Sequence, residues 1–328
     1  MKRLVKLIKN PKHIFVILNQ MKLLRFLSDE KLLKLIYWAK YGKKLNLENP
    51  KSFNEKIQWL KLYNRNPEYT KMVDKYEVKE YLKSLIGEEY IIPNYGVWDK
   101  FDEIDFDKLP NQFVLKCTHD SGGLIVCKDK SKLDIKKAKK IINKSLKANY
   151  FIFGREWAYK DVKPRIIAEK FIETTKNKID ISNKEIIEAE ELQSNIGLLD
   201  YKFVCCEGKV KGLFMDIGLI GSNGGHAKEY YRNVYDRDFN LLPVLETREN
   251  YPQKISKPIN YDKMIELAEK ISKNIPFLRV DLYNVNGTIM VGELTFYHGS
   301  GLSNVFKPAE WDEVLGEWIN LENIEIRK

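Results

Sequence analysis

The sequence predicts an α+β protein in which a mostly helical N-terminal region precedes a series of β-hairpins. Three observations support this fold class. Leucines recur at helical spacing in residues 1–48, short apolar runs flank turn residues after residue 111, and lysine-rich segments of helical period separate those runs. With 328 residues and 44% hydrophobic content, the chain can bury a large core and form two or three domains.

The basic charge of the chain is concentrated at its N-terminus. The formal net charge is +10, and residues 1–48 hold twelve Lys and Arg against three Asp and Glu. The remaining residues hold 44 against 43, so the body of the protein is nearly balanced. A nucleic-acid-binding body would be expected to carry a basic stripe of its own. The sequence shows none, and we expect no nucleic-acid partner.

The N-terminal segment has two interpretations. The first is a basic amphipathic helical arm packed on the body, with its lysines in solvent. The second is a surface that makes peripheral contact with an anionic membrane leaflet. The longest apolar run of the segment, Ile14 to Leu18, is too short for a signal peptide or a membrane span.

The four cysteines form no C-x-x-C pair, which is typical of a reduced protein with structural cysteines. We therefore expect a cytoplasmic protein. Under the second interpretation of the N-terminal segment, it would lie peripherally on the inner face of the cell membrane.

Helix signals follow the first segment. Ser52, with Glu55 three residues later, predicts a helix N-terminus with a capping box. Further helices are expected through about Ile86, and prolines with an acidic stretch predict a linker over residues 93–110.

The first hairpin carries a candidate phosphate site. Two apolar strands, FVLK and LIVC, flank the polar loop CTHDSGG, with Lys116 at the end of the first strand. Glycines such as Gly122 and Gly123, beside Ser121, let backbone N–H groups approach phosphate oxygens, and the lysine adds a point charge. Many hairpins have glycine tips and end in lysine, so an ordinary hairpin is the alternative on these residues alone.

The rest of the chain alternates helices and strands. The pattern predicts a helix at 134–147, a buried strand at 164–173, a polar irregular segment at 174–199, a hairpin at 200–220 with its turn at Glu207-Gly208, a loop at 221–225, a helix at 261–273 and a terminal helix at 309–319.

Charged residues interrupt a hairpin near the C-terminus. Its turn is expected at Asn286-Gly287, a strong hairpin signal. Arg279, Asp281 and Glu293 lie in runs that are otherwise apolar, where a charge is costly unless it is paired or bound to a metal.

Strand parity decides whether the two carboxylates can act together. With a two-residue turn, Asp281 would lie opposite Gly292 and Glu293 would point to the other face. An odd loop or a bulge would place both on one face. Two such carboxylates are usual ligands for Mg²⁺ held with nucleotide phosphates. The alternative is an Arg279–Glu293 ion pair with Asp281 in solvent.

Four segments resemble motifs of the ATP-grasp superfamily and follow one another in the same order as in that superfamily: MVDKYEVKEYL, FVLKCTHDSGG, IIAEKFIE and RVDLY…GELTFYHGSG. More closely, the chain resembles the TupA-like ATP-grasp family in the sequences of the segments KSFNEKIQWLKL, KPRIIAEKFIE, DYKFVC and VDLYNVNGTIMVGELTFYHGSG. That family is associated with teichuronopeptide and other bacterial cell-surface polysaccharide synthesis. The resemblance covers about residues 50–310.

The resemblance implies an ATP-grasp fold, in which two β-rich lobes clasp ATP. It divides the chain into a basic amphipathic helical segment at 1–48, a helical N-terminal subdomain and linker at 49–110, a small lobe at 111–170, and a large lobe with the metal-binding hairpin at 171–328.

The resemblance also implies roles for individual residues. ATP phosphates would be bound by Lys75, Lys116 and the tip Ser121, Gly122 and Gly123. Adenine would be bordered by Glu169, Lys170, Phe171 and Ile172, and the ribose by Asp200. Mg²⁺ would be held by Asp281, Glu293 and Thr295, the last at a position where the family usually has Asn. Catalysis would involve Arg279 at the transferred phosphoryl group, Lys202 at phosphate or substrate, and Arg232 with the turn His298-Gly299-Ser300 at the acceptor.

The function that follows is an ATP- and Mg²⁺-dependent carboxylate–amine ligase acting through an acyl phosphate. The expected acid is a uronic acid of a bacterial capsule or cell-wall polysaccharide, and the expected amine donor is an amino acid or small amine. The alternatives are an ATP-dependent glycan kinase and a non-catalytic scaffold in polysaccharide assembly.

Overall fold

A computed structural model describes residues 10–120, 122–174, 179–219, 227, 229–322 and 324–327. The described residues form an α+β protein. The helices are α1 (His13–Gln20), α2 (Asp29–Tyr41), α3 (Phe53–Tyr63), α4 (Glu68–Val73), α5 (Glu77–Ile86), α6 (Ile135–Leu146), α7 (Phe151–Gly154), α8 (Ala189–Ile196), α9 (Tyr261–Ile271) and α10 (Trp311–Gly316).

The strands form two larger antiparallel sheets and two short pairs. They are β1 (Asn94–Trp98), β2 (Phe113–Cys117), β3 (Leu124–Cys127), β4 (Ile166–Lys170), β5 (Ile186–Ile187), β6 (Asp200–Cys206), β7 (Lys209–Ile217), β8 (Tyr231–Asp236), β9 (Leu245–Glu246), β10 (Lys254–Ile255), β11 (Leu278–Val285), β12 (Thr288–Thr295) and β13 (Phe306–Lys307).

The smaller sheet has the order β1-β4-β2-β3. The predicted hairpin β2–β3 and the buried strand β4 are present, and α6 covers the sheet with Ala138 and Ile142. Strand β1 lies inside the stretch that was expected to be a linker, and it pairs with β4. The sequence NYGVW contains a glycine and follows a proline, so its strand character is weak until β4 supplies a partner.

The larger sheet has the order β12-β11-β6-β7-β8. Its central hairpin, β6–β7, turns at Glu207-Gly208 as predicted. Helix α9 packs on the sheet through residues such as Met264, Leu267 and Ala268. Together the two sheets and their helices give the α+β arrangement expected from the sequence.

A β-bulge sets the register of the hairpin β11–β12. The turn has two residues, with Val285 opposite Thr288, and the simple register continues to Leu282 opposite Val291. Beyond that point Asp281 lies opposite Glu293, so Gly292 is the extra residue. The prediction that an odd loop or a bulge is needed to align the two carboxylates is met by a bulge, located in the strand and not in the loop.

Helix α3 joins two hydrophobic clusters. It begins at the predicted capping box, in which the Glu55 amide donates to Ser52 Oγ and the Ser52 amide donates to Glu55 Oε2, each at 3.3 Å. Phe53 and Ile57 belong to the main core around the larger sheet. Leu62 belongs to a separate cluster formed by α1 and α2. The N-terminal helices are thus packed on the body.

The segment expected to be irregular between β4 and β6 contains a helix. Helix α8 buries Leu192 and Gln193, and the Gln193 amide donates to the Asn284 carbonyl at 3.1 Å. Because the segment is rich in polar residues, its sequence pattern did not predict the short buried face of α8. The loop predicted at 221–225 lies outside the described residues. Among the described helices, none is long and apolar enough to cross a membrane.

Candidate active site

A cleft between the two sheets collects most of the residues assigned by sequence. Its polar lining includes Lys75, Lys116, Gly123, Glu169, Asp200, Lys202 and Glu293, and its other lining residues include Lys170, Phe171, Ile172, Ile92, Val114, Leu124, Val126, Leu198 and Tyr283. The lining therefore combines apolar side chains with lysines and carboxylates. Such a combination suits a ligand with a flat aromatic ring and a polyanionic tail.

The small-sheet side of the cleft is organised by Glu169 on β4. Its carboxylate binds Lys116 Nζ at 2.6 Å and Lys79 Nζ at 2.7 Å. Burial raises the pKa of Glu169, but the two lysines outweigh it and leave the pKa below its usual value. Lys79 was not predicted. It lies one helical turn after Lys75 on the same stretch, and this spacing was the available signal.

Lys75 fastens the tip of the first hairpin. It lies between α4 and α5, and its Nζ donates to the Asp120 carbonyl at 2.7 Å. The Asp120 carboxylate accepts from the Gly123 amide at 3.2 Å and from Ser145 Oγ. A Cβ at Gly123 would collide with Cys117 Sγ and Ser145 Oγ, both at 2.5 Å, so only glycine fits. Gly122 is exposed beside this loop, and Ser121 lies outside the described residues.

The large-sheet side of the cleft is built on cross-strand pairs. Lys202 on β6 lies opposite Asp281 on β11, which lies opposite Glu293 on β12. Side chains at directly opposed positions share one face of a sheet. Arg279, two residues before Asp281, shares that face and lies opposite Thr295. The hairpin charges that stood out in the sequence therefore converge on one surface.

Asp281 is a buried partner of two cations. It is 1% exposed. Arg279 donates to both of its oxygens at 2.6 Å, and Lys202 Nζ donates to Oδ2 at 2.9 Å. The alternative that left Asp281 in solvent is wrong, although an Arg279–Glu293 contact of 3.1 Å is present.

Glu293 is the hairpin carboxylate that reaches the cleft. Its side chain is 33% exposed, and its carboxylate lies 3.1 Å from the Arg279 guanidinium and 3.7 Å from Lys75 Nζ. Burial raises the pKa of Glu293, but Lys75 and then Arg279 outweigh it and hold the pKa at about 2. Glu293 is therefore ionised at neutral pH and available to a cation in the cleft.

Asp200 also lines the cleft, next to Lys202 on β6. Its Oδ2 accepts from Lys202 Nζ, while its buried Oδ1 has no hydrogen-bond partner. Burial raises the pKa of Asp200 more than the bond with Lys202 lowers it. A buried carboxylate oxygen without a donor is a costly arrangement that a ligand could relieve.

Arg232 lies away from the cleft. Its guanidinium binds Asp216 on β7, at 2.7 Å for one of the two bonds, and Glu246 on β9. These carboxylates outweigh burial and raise the pKa of Arg232. Its donors are thus engaged inside the protein. Asp216 and Glu246 were not predicted, and a carboxylate within the apolar run LFMDI was the available signal for Asp216.

These contacts close into a ring of six charged groups and one histidine. Asp216 lies 3.8 Å from Lys202, and Glu246 lies 3.9 Å from His298 Nε2. Arg279 donates to His298 Nδ1 at 2.9 Å. We call the closed set the charge ring; it consists of Arg279, Asp281, Lys202, Asp216, Arg232, Glu246 and His298. Burial lowers the pKa of His298 to about 4 despite Glu246, so the ring holds a neutral imidazole at pH 7.

The turn after β12 is held by α3. We call His298–Gly301 the acceptor turn, after the role that the resemblance implies for it. Lys61 Nζ donates to the Ser300 carbonyl at 2.5 Å and to Ser300 Oγ at 2.9 Å, and Gln58 donates to the Gly301 carbonyl at 2.7 Å. Ser300 has a left-handed φ of 58°, a conformation that needs such support. Lys61 is fully buried, which lowers its pKa to about 7.

The residues present fit a bound magnesium–nucleotide. Among the described residues, no group of three or more His, Cys, Asp or Glu is arranged to hold a metal ion. A cation would thus rely on Glu293, with the free oxygen of Asp200 nearby in the lining and phosphate oxygens completing its shell. Asp281 lies opposite Glu293, but both of its oxygens already accept from Arg279 or Lys202.

The chain is similar to solved structures at low identity. A D-cycloserine synthetase is 14% identical, with 75% of this chain and 70% of that chain covered and a TM-score of 0.35. The D-alanine–D-alanine ligase of Helicobacter pylori is 14% identical, with 75% and 61% covered and a TM-score of 0.37. A RimK-domain ATP-grasp protein of Sphaerobacter thermophilus is 11% identical, with 78% and 70% covered and a TM-score of 0.38.

No curated protein matches the sequence. The model of one protein family, described as TupA-like ATPgrasp, matches residues 55–320. The match includes both sheets, the cleft and the hairpin with its bulge. Because it extends over most of the sequence, the chain belongs to the TupA-like ATP-grasp family.

Proposed function

We propose that the protein is an ATP- and Mg²⁺-dependent ligase that joins a carboxylate to an amine through an acyl phosphate. The observation that carries this proposal is the meeting of three lysines, Lys75, Lys116 and Lys202, with the ionised Glu293 in one cleft. Phosphoryl transfer depends on positioning and on charge neutralisation, and these residues supply both.

Each group has a defined task in this proposal. The lysines bind anionic oxygens, and Glu293 holds the cation. Arg279 is fixed by the two hydrogen bonds that it donates to Asp281, so its guanidinium is oriented before any ligand arrives. ATP, when bound, supplies the phosphoryl group that activates the carboxylate.

The apolar residues of the cleft exclude water. An activated carboxylate hydrolyses readily in water, and Val114, Leu124 and Val126 of the smaller sheet contribute apolar side chains to the lining of the cleft. The acceptor turn lies behind Arg279 and is coupled to it through His298. We assign the binding of the acid or the amine to this end of the site.

The substrate class follows from the family. TupA-like proteins are associated with cell-surface polysaccharides, so we propose a uronic acid of a bacterial capsule or cell-wall polysaccharide as the acid. An amino acid or a small amine would be the donor. The nearly balanced charge of residues 49–328 fits a small-molecule or glycan substrate better than a nucleic acid.

A coupled assay of ADP release with candidate uronic acids and amines tests the proposal. ADP and inorganic phosphate should form in equal amounts only when acid, amine and Mg²⁺ are all present. Glu293→Gln should lower turnover by about a hundredfold or more, since a metal's charge stabilisation is worth several kcal/mol. Glu266→Gln, at a side chain on α9 that is 62% exposed, should turn over like the wild type.

Two outcomes would overturn the ligase. The first is formation of ADP with a phosphorylated sugar and no free phosphate, which would make the protein a glycan kinase. The second is the absence of any ATP-dependent rise in melting temperature with Mg²⁺ present, which would point to a scaffold without nucleotide binding.

A further inference from the structure

The connection between α1 and α2 presents apolar side chains to solvent. We call residues 21–26 the apolar tip. Met21 is 61% exposed, Leu23 is 54% exposed and Phe26 is 78% exposed, a larger value than for any other exposed large apolar residue described. Single exposed apolar residues are common, but three within six positions at the end of a helical hairpin form a patch.

The tip is also positively charged. Lys22 and Arg25 lie between the apolar residues and are both exposed. The tip itself contains no acidic residue, and residues 1–48 hold twelve basic residues against three acidic ones. Apolar side chains interleaved with basic ones match the two layers of an anionic membrane surface, in which headgroup charge lies above the acyl chains.

The tip is anchored firmly to the body. The Arg155 guanidinium donates to the carbonyl groups of Arg25 and Leu27, each at 3.3 Å, and Arg155 Nε lies 3.1 Å from Asp29 Oδ1. Arg155 is 4% exposed. One turn away, the Asn19 amide donates to the Phe153 carbonyl at 2.7 Å. A patch held in this way has a fixed conformation, so binding would not carry the entropic cost of ordering it.

From these observations we infer that the apolar tip docks the protein on an anionic lipid bilayer. Met21, Leu23 and Phe26 enter the interfacial region, while Lys22 and Arg25 contact lipid phosphates. A second copy of the chain is a poorer occupant, because two tips would bring like charges together.

Docking would place the acceptor turn close to the membrane side of the molecule. Arg155, which holds the tip, is followed by the buried Glu156 and preceded by Gly154. Gly154 lies so close to Ser300 of the acceptor turn that any Cβ there would collide with Ser300 Oγ. A lipid-anchored acceptor would then meet the site at the surface, an extension that rests on the proposed function.

Vesicle co-sedimentation of the full chain tests the docking directly and does not depend on activity. The wild type should sediment with vesicles of phosphatidylcholine and phosphatidylglycerol and remain in solution with phosphatidylcholine alone. The triple variant Met21→Ser, Leu23→Ser, Phe26→Ser should bind at least about tenfold more weakly, given the transfer free energy of buried apolar side chains. Lys22→Gln with Arg25→Gln should weaken binding to anionic vesicles and leave the melting temperature unchanged.

A matched control replaces exposed apolar residues elsewhere on the surface. Ile186, Ile259 and Ile326 are 55%, 53% and 60% exposed, and their triple change to Ser should bind vesicles like the wild type. The inference is overturned if the wild type does not bind anionic vesicles, or if the tip variant binds as well as the control variant. It is also overturned if the tip variant converts a dimer into a monomer on size exclusion without changing vesicle binding.

Discussion

The substitution Asp281→Asn should destabilise the protein severely. The carboxylate is 1% exposed and accepts three hydrogen bonds from two cations, two from Arg279 at 2.6 Å and one from Lys202 at 2.9 Å. Asparagine preserves the shape but removes the charge, and its amide hydrogens would face groups that are themselves donors. Removing one partner of a buried ion pair costs about 3–5 kcal/mol.

The expected loss is large enough to measure in two ways. At about 2 °C of melting temperature per kcal/mol, the variant should melt about 6–10 °C below the wild type. Urea unfolding followed by tryptophan fluorescence should show a lower midpoint with an unchanged slope, because the surface exposed on unfolding stays the same.

Two comparison variants test whether the loss of stability is specific to the buried ion pairs of Asp281. Glu293→Gln changes a carboxylate on the same face whose side chain is 33% exposed, so solvent can take over part of its role and the cost should be smaller than that of Asp281→Asn. Combining Asp281→Asn with Lys202→Met removes one orphaned cation and should cost less than the sum of the single variants. A melting temperature of Asp281→Asn within 1–2 °C of the wild type would refute the assignment of Asp281 as the hub of buried ion pairs.

Three further predictions follow from the site and its supports. Burial holds the pKa of His298 at about 4, below its unfolded value of 6.5, so the folded state binds fewer protons than the unfolded state between these two pH values. The free energy of unfolding should therefore fall by up to about 3 kcal/mol on acidification from pH 6.5 to pH 4. The variant His298→Gln should flatten the dependence of the urea midpoint on pH. Gly292→Ala would bring a Cβ within 2.9 Å of the Tyr283 ring, so it should cost about 1–3 kcal/mol and weaken the melting-temperature rise caused by ATP. Lys61→Met keeps the buried stem but removes the bonds to Ser300, so it should raise the KM for the acceptor in steady-state kinetics with little change in the KM for ATP.

The sequence was most informative where a charge broke an apolar pattern. Arg279, Asp281 and Glu293 were singled out on that ground, and all three lie together in the structure. The parity argument also identified the geometric requirement for their meeting. It did not locate the bulge at Gly292, although an isolated glycine inside a strand was an available signal for one.

Other parts of the site depend on pairing across distant strands. Asp216 and Glu246 join the charge ring only because β7, β8 and β9 come together in space, and no local spacing signals that contact. Arg232 was expected at the acceptor site because of the family resemblance, whereas its guanidinium binds these same two carboxylates. Strand β1 was missed for a similar reason, since its pairing with β4 and not its own composition makes it a strand.

The charge ring restricts how this sequence can change over generations. Its three cations and three carboxylates sum to zero, and apart from the pair Arg279–Asp281 within β11 the paired groups lie on different strands. Losing one charge leaves a buried opposite charge without compensation, whereas replacing a cation and its carboxylate together by apolar residues can be nearly neutral. Drift at Arg232 and Glu246, for example, should therefore proceed by paired replacements, since Asp216 would keep Lys202 as a partner at 3.8 Å. A single change at either position should be found only together with a change at the other.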